Sequence, residues 1–252
     1  MISALMVTQP NRIESARIAM ADFAAQTHVE RELIVVHDGG ESLASALSST
    51  AAGLADADIR IISVEAGLTL GELRNRSVRA AQGDFICQWD DDDRHHRQRL
   101  AEQWSALNDR GADFCFLQQQ MHLFGNTGEM FLTDWDLEPW PMNFVQGSML
   151  ARRSCLPAYP ALPRGEDTAV VHEILRRGHA IARLADRAWA YVYVCHGANA
   201  WSGAHHRAIA KAKSAGEVRL LQLRSTLEAR LAEYDPPLGE FRLMHAGGFP
   251  GH

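Results

Sequence analysis

Four consecutive aspartates, Asp90 to Asp93, follow the apolar run Phe85-Ile86-Cys87-Gln88-Trp89. Carboxylates this close together repel one another. Two unit charges about 6 Å apart cost roughly 3 kcal/mol at an effective dielectric near 20, and below about 1 kcal/mol in full solvent. A solvated acidic turn tolerates that cost, whereas a half-buried cluster at a strand end calls for a cation. Oxygen ligands in this number suit Mg²⁺ or Mn²⁺, which usually take substrate phosphates as further ligands. Other polar motifs also stand where apolar runs end. Thr8-Gln9-Pro10-Asn11-Arg12 follows the first run, Asp38-Gly39-Gly40 the second, and Glu166-Asp167 sits between Gly165 and a helical pattern. His196 closes the aromatic run Tyr191-Val192-Tyr193-Val194-Cys195 and is a candidate metal ligand, with His205 and His206 as alternatives. Singly, Asn11 reads as a helix N-cap and Asp38-Gly39 as a turn.

The elements that must position these groups alternate strand and helix in the first half. Apolar runs predict strands at 3–7, 33–36, 60–64, 84–89 and 113–117, and apolar spacing predicts helices at 12–26, 41–54, 71–82 and 100–110. Strands at this spacing imply right-handed crossovers, a mainly parallel α/β sheet flanked by helices, and ligands at the C-terminal strand edges. The second half reads differently. It offers a hairpin-like turn at 124–128, an aromatic, proline-bearing loop at 135–140 and a strand at 146–151. A helix at 168–177 stopped by Gly178, a strand at 189–195, one long helix at 204–233 and a loose tail from Pro236 complete the reading. No linker or repeat interrupts the chain, so a catalytic unit over 1–203, with a helix and tail over 204–252 packed on it, is expected.

The bulk properties narrow the class. With 252 residues, 46% hydrophobic, 22% charged and a net charge of −6, the chain reads as globular and not as a nucleic-acid binder working through a basic surface. Its four cysteines are far apart without metal or disulfide-framework spacing. The first residues lack a signal-peptide pattern and no run of 18 apolar residues occurs, so a cytoplasmic location is expected. Between His205 and Arg230, six Lys/Arg stand against two Glu, and Leu220, Leu223, Leu227 and Leu231 repeat at helical spacing. That pattern fits a packed helix with a solvated face, a homodimer contact, or a peripheral helix on an anionic membrane face.

Taken together, the segments Ser3 to Arg12, Glu32 to Gly40 (ELIVVHDGG), Leu70 to Asp93, Gln146-Gly147-Ser148-Met149 and Gly165-Glu166-Asp167-Thr168 resemble, in order and spacing, an inverting family-2 glycosyltransferase of the GT-A fold. The resemblance implies roles residue by residue. Thr8, Gln9, Arg12, Asp38 and Arg74 fall at positions that hold the nucleotide, Asp38 accepting from a uracil imide. Asp90 lies near the ribose, Asp91 belongs with it to the nucleotide-sugar site, Asp92 binds the metal, and Asp93 supports them. Asp167 is similar to the catalytic base, with Glu166 orienting the acceptor side. Related enzymes use a histidine in the region of His196 on the metal. The QxxRW element of processive synthases is absent, which implies transfer of a single sugar.

Physical logic runs alongside. A nucleotide diphosphate needs its charge bridged, and an acceptor hydroxyl needs a carboxylate to take its proton. The expected partners are a nucleotide-sugar, a UDP-sugar first, and an acceptor that is a glycan, a lipid-linked sugar or a small molecule. Two rivals share parts of this logic. A sugar nucleotidyltransferase would need a Gly-rich basic loop after the first strand, and a non-catalytic nucleotide-sugar-binding module would have no use for both Asp92 and Asp167.

Overall fold

A computed structural model describes residues 1–54 and 57–248. In chain order, β1 (Ile2–Thr8), α1 (Ile13–Ala24), β2 (Arg31–His37), α2 (Gly40–Gly53), β3 (Ile59–Ser63), α3 (Leu70–Ala80) and β4 (Phe85–Gln88) alternate. Then come β5 (Arg94–His95), α4 (Arg99–Asp109), β6 (Phe114–Leu117), β7 (Gln119–Phe124), β8 (Glu129–Asp134) and β9 (Leu150–Arg152). The last third holds α5 (Glu166–Arg176), β10 (Ile181–Leu184), β11 (Tyr191–Cys195), α6 (Gly203–Lys213), α7 (Glu217–Leu231) and β12 (Arg242–Met244).

Seven strands form one sheet in the order β10-β6-β9-β4-β1-β2-β3, parallel except for β9, which is antiparallel to both β4 and β6. Successive side chains of a strand point to opposite faces. Along β1, Ile2, Ala4 and Met6 pack with Met20 and Phe23 of α1 and Leu43 of α2, while Leu5 faces Leu73 of α3. Both faces are covered, which is why β1 and β2 read as nearly continuous apolar runs. A second sheet, β12-β8-β7-β11-β5, packs Met121, Met130, Leu132 and Val192 against Leu220, Leu227 and Leu231 of α7. Three leucines of the stripe are thus buried inside the chain, and Leu223 is partly buried against them. Among the described residues no helix is long and apolar enough to cross a membrane.

Three expectations need correction. Residues 146–151 are not one strand: Gln146–Ser148 is a 3₁₀ turn and only Leu150–Arg152 is extended. Ser148 Oγ accepts from Leu117 N at 2.9 Å and donates to Val145 O at 2.6 Å, which satisfies the turn internally. The helix expected at 204–233 breaks into α6 and α7, because Ala215 N donates to Leu132 O at 2.8 Å and Ser214 bridges Thr133 on the edge of β8. The tail is not loose over its described part. Its β12 adds to β8 in parallel and covers that sheet edge, while 249–252 lie outside the described residues.

The parallel strands deliver Thr8, His37 and Gln88 to one sheet edge. Gly39 holds two loops of that edge together, since a Cβ there would come 2.7 Å from Pro10 Cγ. At the start of α3, a Cβ on Gly71 would come 1.8 Å from the backbone oxygen of Pro160. Asn75 clamps the same segment, donating to Tyr159 O at 2.7 Å and accepting from Tyr159 N at 2.9 Å. These contacts fix the chain that leads into Gly165-Glu166-Asp167.

Candidate active site

The four aspartates part company as soon as they leave β4. Asp93 turns inward, where it accepts from the Tyr191 hydroxyl and from Val194 N at 2.9 Å. Burial, with Asp92 and Asp90 nearby, pushes its carboxyl well above the ordinary range. Asp90 faces the other way, accepting from Gln88 Nε2 at 3.1 Å and from Arg74 Nη2 at 2.9 Å. Asp91 is 2% exposed, and burial beside Asp92 raises it to about 6 against the pull of Arg12.

Arg12 is the bridge. Its Nη1 lies 3.0 Å from Asp91 Oδ1 and 3.0 Å from Asp92 Oδ2. His196 Nε2 stands 3.0 Å from the same Asp92 oxygen. Burial pushes Asp92 up, but the His196 and Arg12 contacts outweigh it and hold the carboxyl below its usual range. His196 Nδ1 accepts from Ala198 N at 3.3 Å, so the neutral ring carries its proton on Nε2 and donates it to Asp92. Ligation through Nε2 displaces that proton. Asp91 Oδ2 and Thr8 Oγ1 are buried without a hydrogen bond of ordinary geometry, although the Thr8 hydroxyl is near enough to pull the Asp91 carboxyl down.

Positive and donor groups therefore already converge on Asp92, and the buried Asp91 carboxylate lies next to it. Asp92 and His196 are of the donor types a divalent cation takes, though here they contact each other and Arg12. Among the described residues, the group of three His, Cys, Asp or Glu donors within 4.8 Å of one another is Asp113, Cys155 and His179. These stand around the starts of β6 and β10, at the edge opposite the aspartates.

A second loop arrives from α5. Gly165, at φ +73°, begins the helix, and only glycine adopts that conformation freely. Glu166 points inward and accepts from Arg74 Nε at 2.7 Å; burial raises its carboxyl while Arg74 opposes the rise. Glu166 was expected beside the acceptor, yet its carboxylate is bound within the protein. Asp167 is half-buried and lines a cleft at this edge. Thr168 N donates to Asp167 Oδ1 at 2.7 Å, and the Thr168 hydroxyl donates to Gln146 Oε1 at 2.6 Å, which fixes the carboxylate's orientation. The cleft holds about 470 Å³ and also touches Asp90, Gln146, Gly147 and Tyr191. At Gly147 a Cβ would stand 3.5 Å from Asp90 Oδ2 and 3.4 Å from the Tyr191 hydroxyl, ordinary contact distances that place this residue beside both groups.

The remaining candidates sit along the same edge. Thr8 is buried at the end of β1, Gln9 is exposed just beyond it, and Asp38 is half-buried after β2. Sequence reasoning missed the groups beneath the aspartates. His95 and Arg99 are 1% and 0% exposed. Arg99 can only donate, so His95 Nδ1 accepts from it at 2.6 Å and His95 Nε2 donates to Asp90 O at 3.1 Å. Arg99 Nη2 also donates to Gln88 O at 3.0 Å. This pair holds the backbone from which Asp90 departs. The signal that would have found it is an arginine four residues after a histidine at an apolar helix start.

Comparison with known proteins shows the class to which the chain belongs. Residues 6–154 match the family model described as Glycosyl transferase family 2. The chain belongs to glycosyltransferase family 2 and is an enzyme that moves a sugar from a nucleotide-sugar donor. No curated protein matches it at a significant level. Among solved structures, S. aureus TarS 1-349 in complex with UDP-GlcNAc is 14% identical, with a TM-score of 0.65 over 93% of this chain and 67% of that one. The same TarS fragment with UDP is 16% identical, with a TM-score of 0.62 over 83% and 69%. The mannosyltransferase PcManGT from Pyrobaculum calidifontis, in complex with GDP-Man and Mn2+, is 16% identical, with a TM-score of 0.59 over 82% of this chain and 60% of that one. These likenesses carry the GT-A-like fold.

Proposed function

We propose that the protein is an inverting, metal-dependent glycosyltransferase that moves one sugar from a UDP-sugar to an acceptor hydroxyl. The observation that carries this reading is that Asp90, from the aspartate cluster, and Asp167, from a different loop, line one cleft. Thr8, Gln9, Arg12 and Asp38 would hold the nucleotide along the strand edge, and Asp92 with His196 would hold Mn²⁺ or Mg²⁺. When bound, the ion lends its charge to the departing diphosphate.

The chain's own groups do the rest. Asp167, oriented by Thr168, accepts the proton of the acceptor hydroxyl. That oxygen forms its bond to the anomeric carbon while the bond from that carbon to the diphosphate oxygen breaks, and the electron pair leaves on the diphosphate. One displacement with one base inverts the anomeric centre. Arg74, held between Asp90 and Glu166, keeps the two carboxylate loops in register, and Glu166 acts through it as a positioning residue. Relatives with UDP-GlcNAc and with GDP-Man and Mn2+ support a nucleotide-sugar and a divalent ion, and a donor comparison decides between the bases.

The test is melting with UDP or GDP, each with Mn²⁺ or with a chelator, followed by donor hydrolysis across a nucleotide-sugar panel. At 100 times Kd the ligand adds about 2.7 kcal/mol, a rise of several degrees at about 2–4 °C per kcal/mol. UDP with Mn²⁺ should give the largest rise. No rise with either nucleotide sinks the donor assignment, and a larger rise with GDP corrects the base.

A further inference from the structure

The cleft shared by Asp90 and Asp167 continues to a second wall that the reaction above leaves without a role. His122 of β7, Trp135 at the end of β8, Tyr193 of β11, and Trp201, His206 and Lys213 line it. Four of these six stand beyond residue 154, where the family match ends.

Its polar atoms are unusually short of partners. Among the described residues nine buried side-chain nitrogens and oxygens lack a hydrogen bond of ordinary geometry, and four belong to this wall: Trp135 Nε1, both ring nitrogens of His122, and His206 Nδ1, whose ring also feels the Trp201 backbone. Protein interiors normally satisfy such groups, so their concentration around one cavity marks where a bound molecule supplies the partners. The rings that carry them are held firmly. His122 stacks on Phe124 at 5.0 Å and packs against Tyr193 at 4.9 Å and His206 at 5.4 Å, while the Tyr193 hydroxyl meets His206 Nε2 at 3.1 Å.

The chemistry of the wall selects among occupants. Burial pushes His122 down to about 3, so its ring is neutral, with one donor and one acceptor nitrogen. Lys213 is already paired with Glu138 and lies 4.8 Å over the Trp135 ring. A phosphate accepts hydrogen bonds only, leaves the acceptor nitrogen unmet and finds the lysine engaged. An alkyl chain meets none of the four atoms. Sugar hydroxyls both donate and accept, and a pyranose C–H face suits the aromatic sides of Trp135 and Tyr193.

We infer that this wall is the acceptor subsite and takes an uncharged sugar ring, with His122, Trp135 and His206 meeting its hydroxyls. The inference rests on the glycosyltransferase reading for its role, and its binding claim can be tested apart from turnover. The probes are methyl glycosides of glucose, galactose, mannose and N-acetylglucosamine, with octyl phosphate as the contrasting ligand. Saturation-transfer NMR on the wild type, with UDP and Mn²⁺ and without them, should show transfer to ring protons of at least one glycoside. His122→Phe, which keeps the stacked ring, and Trp135→Ala should each weaken that glycoside's binding about tenfold, the worth of a lost hydrogen bond to a buried group. Retained melting temperature shows that both variants fold. Transfer to octyl phosphate and to none of the glycosides overturns the inference, as does glycoside binding that neither variant weakens. Failure of donor hydrolysis leaves the binding result standing and counts against the transferase reading instead.

Discussion

Arg74 Nε donates to Glu166 Oε1 at 2.7 Å across 92 positions of sequence, while Nη2 of the same guanidinium reaches Asp90 Oδ1 at 2.9 Å. One buried arginine thus joins the aspartate loop after β4 to the loop that carries Asp167. Removing one partner of a buried pair strands the other charge, at a cost of about 3–5 kcal/mol. Arg74→Gln is expected to lose that much stability in urea denaturation, and without the arginine Glu166 should take up a proton. Glu166→Gln keeps an acceptor for Arg74 and should cost only about 1 kcal/mol. Equal losses in the two variants would refute the bridging role.

Asp92 and Asp167 sit on different loops and should fail differently. Asp92→Ala removes the carboxylate shared by Arg12 and His196, so Mn²⁺-dependent nucleotide binding should disappear together with turnover. Asp167→Asn should bind UDP and Mn²⁺ like the wild type while turnover falls about 10²–10⁴-fold, the worth of a general base. Calorimetry and donor-consumption assays separate the two. Normal turnover in Asp167→Asn would remove the proposed base.

Gly71 tests whether the base loop needs its anchor. A methyl group there would meet Pro160 O at 1.8 Å, and that atom is backbone, so the segment ahead of Gly165 must move. Gly71→Ala should lower kcat about 10²-fold, as expected when a catalytic group shifts by about 1 Å. UDP binding, which uses other loops, should persist. Unchanged kcat would show that the 156–165 segment does not set the position of Asp167.

The aspartates and Asp38 stand out in sequence because each is a polar motif closing an apolar run, and a parallel sheet gathers such ends at one edge; Asp167 instead shows as an acidic pair behind Gly165 at the start of a helix. The alternation of β1 to β4 with α1 to α3 was legible for the same reason, since burial on both faces leaves long apolar stretches. What escaped depends on contacts between distant residues. Nothing in Ser214-Ala215-Gly216 forbids a continuous helix; the break comes from Leu132 O capturing Ala215 N. Gln146–Ser148 alternates poorly but looked extended beside Leu150, and its turn is held by Val145 and Leu117. Sequence places Glu166 beside Asp167, but that its carboxylate is turned inward depends on Arg74, 92 positions earlier. His95 and Arg99 satisfy each other in the interior, a pairing that only their four-residue spacing hints at.

His96 gives the protein a built-in acid sensitivity. Its ring is fully buried between Trp189 at 4.5 Å and Tyr234 at 5.4 Å, and Nδ1 accepts from Gln98 N at 3.2 Å. Burial drives its pKa down from 6.5 to about 4, against the pull of Glu233 3.4 Å away. A histidine depressed in the folded state binds its proton more readily when unfolded. Its contribution is therefore complete above about pH 6.5 and is lost as pH falls toward 4, at about 1.4 kcal/mol for each pH step between those two values. The wild type should lose on the order of 2–3 kcal/mol from this source between pH 7 and pH 4. In His96→Asn the amide oxygen replaces Nδ1 as acceptor for Gln98 N and nothing titrates in that window. The variant should start less stable at pH 7, from lost packing, and fall less steeply with acid. Chemical denaturation of both proteins at pH 7, 5.5 and 4 reads this directly, and parallel curves would show that His96 is not the group responsible.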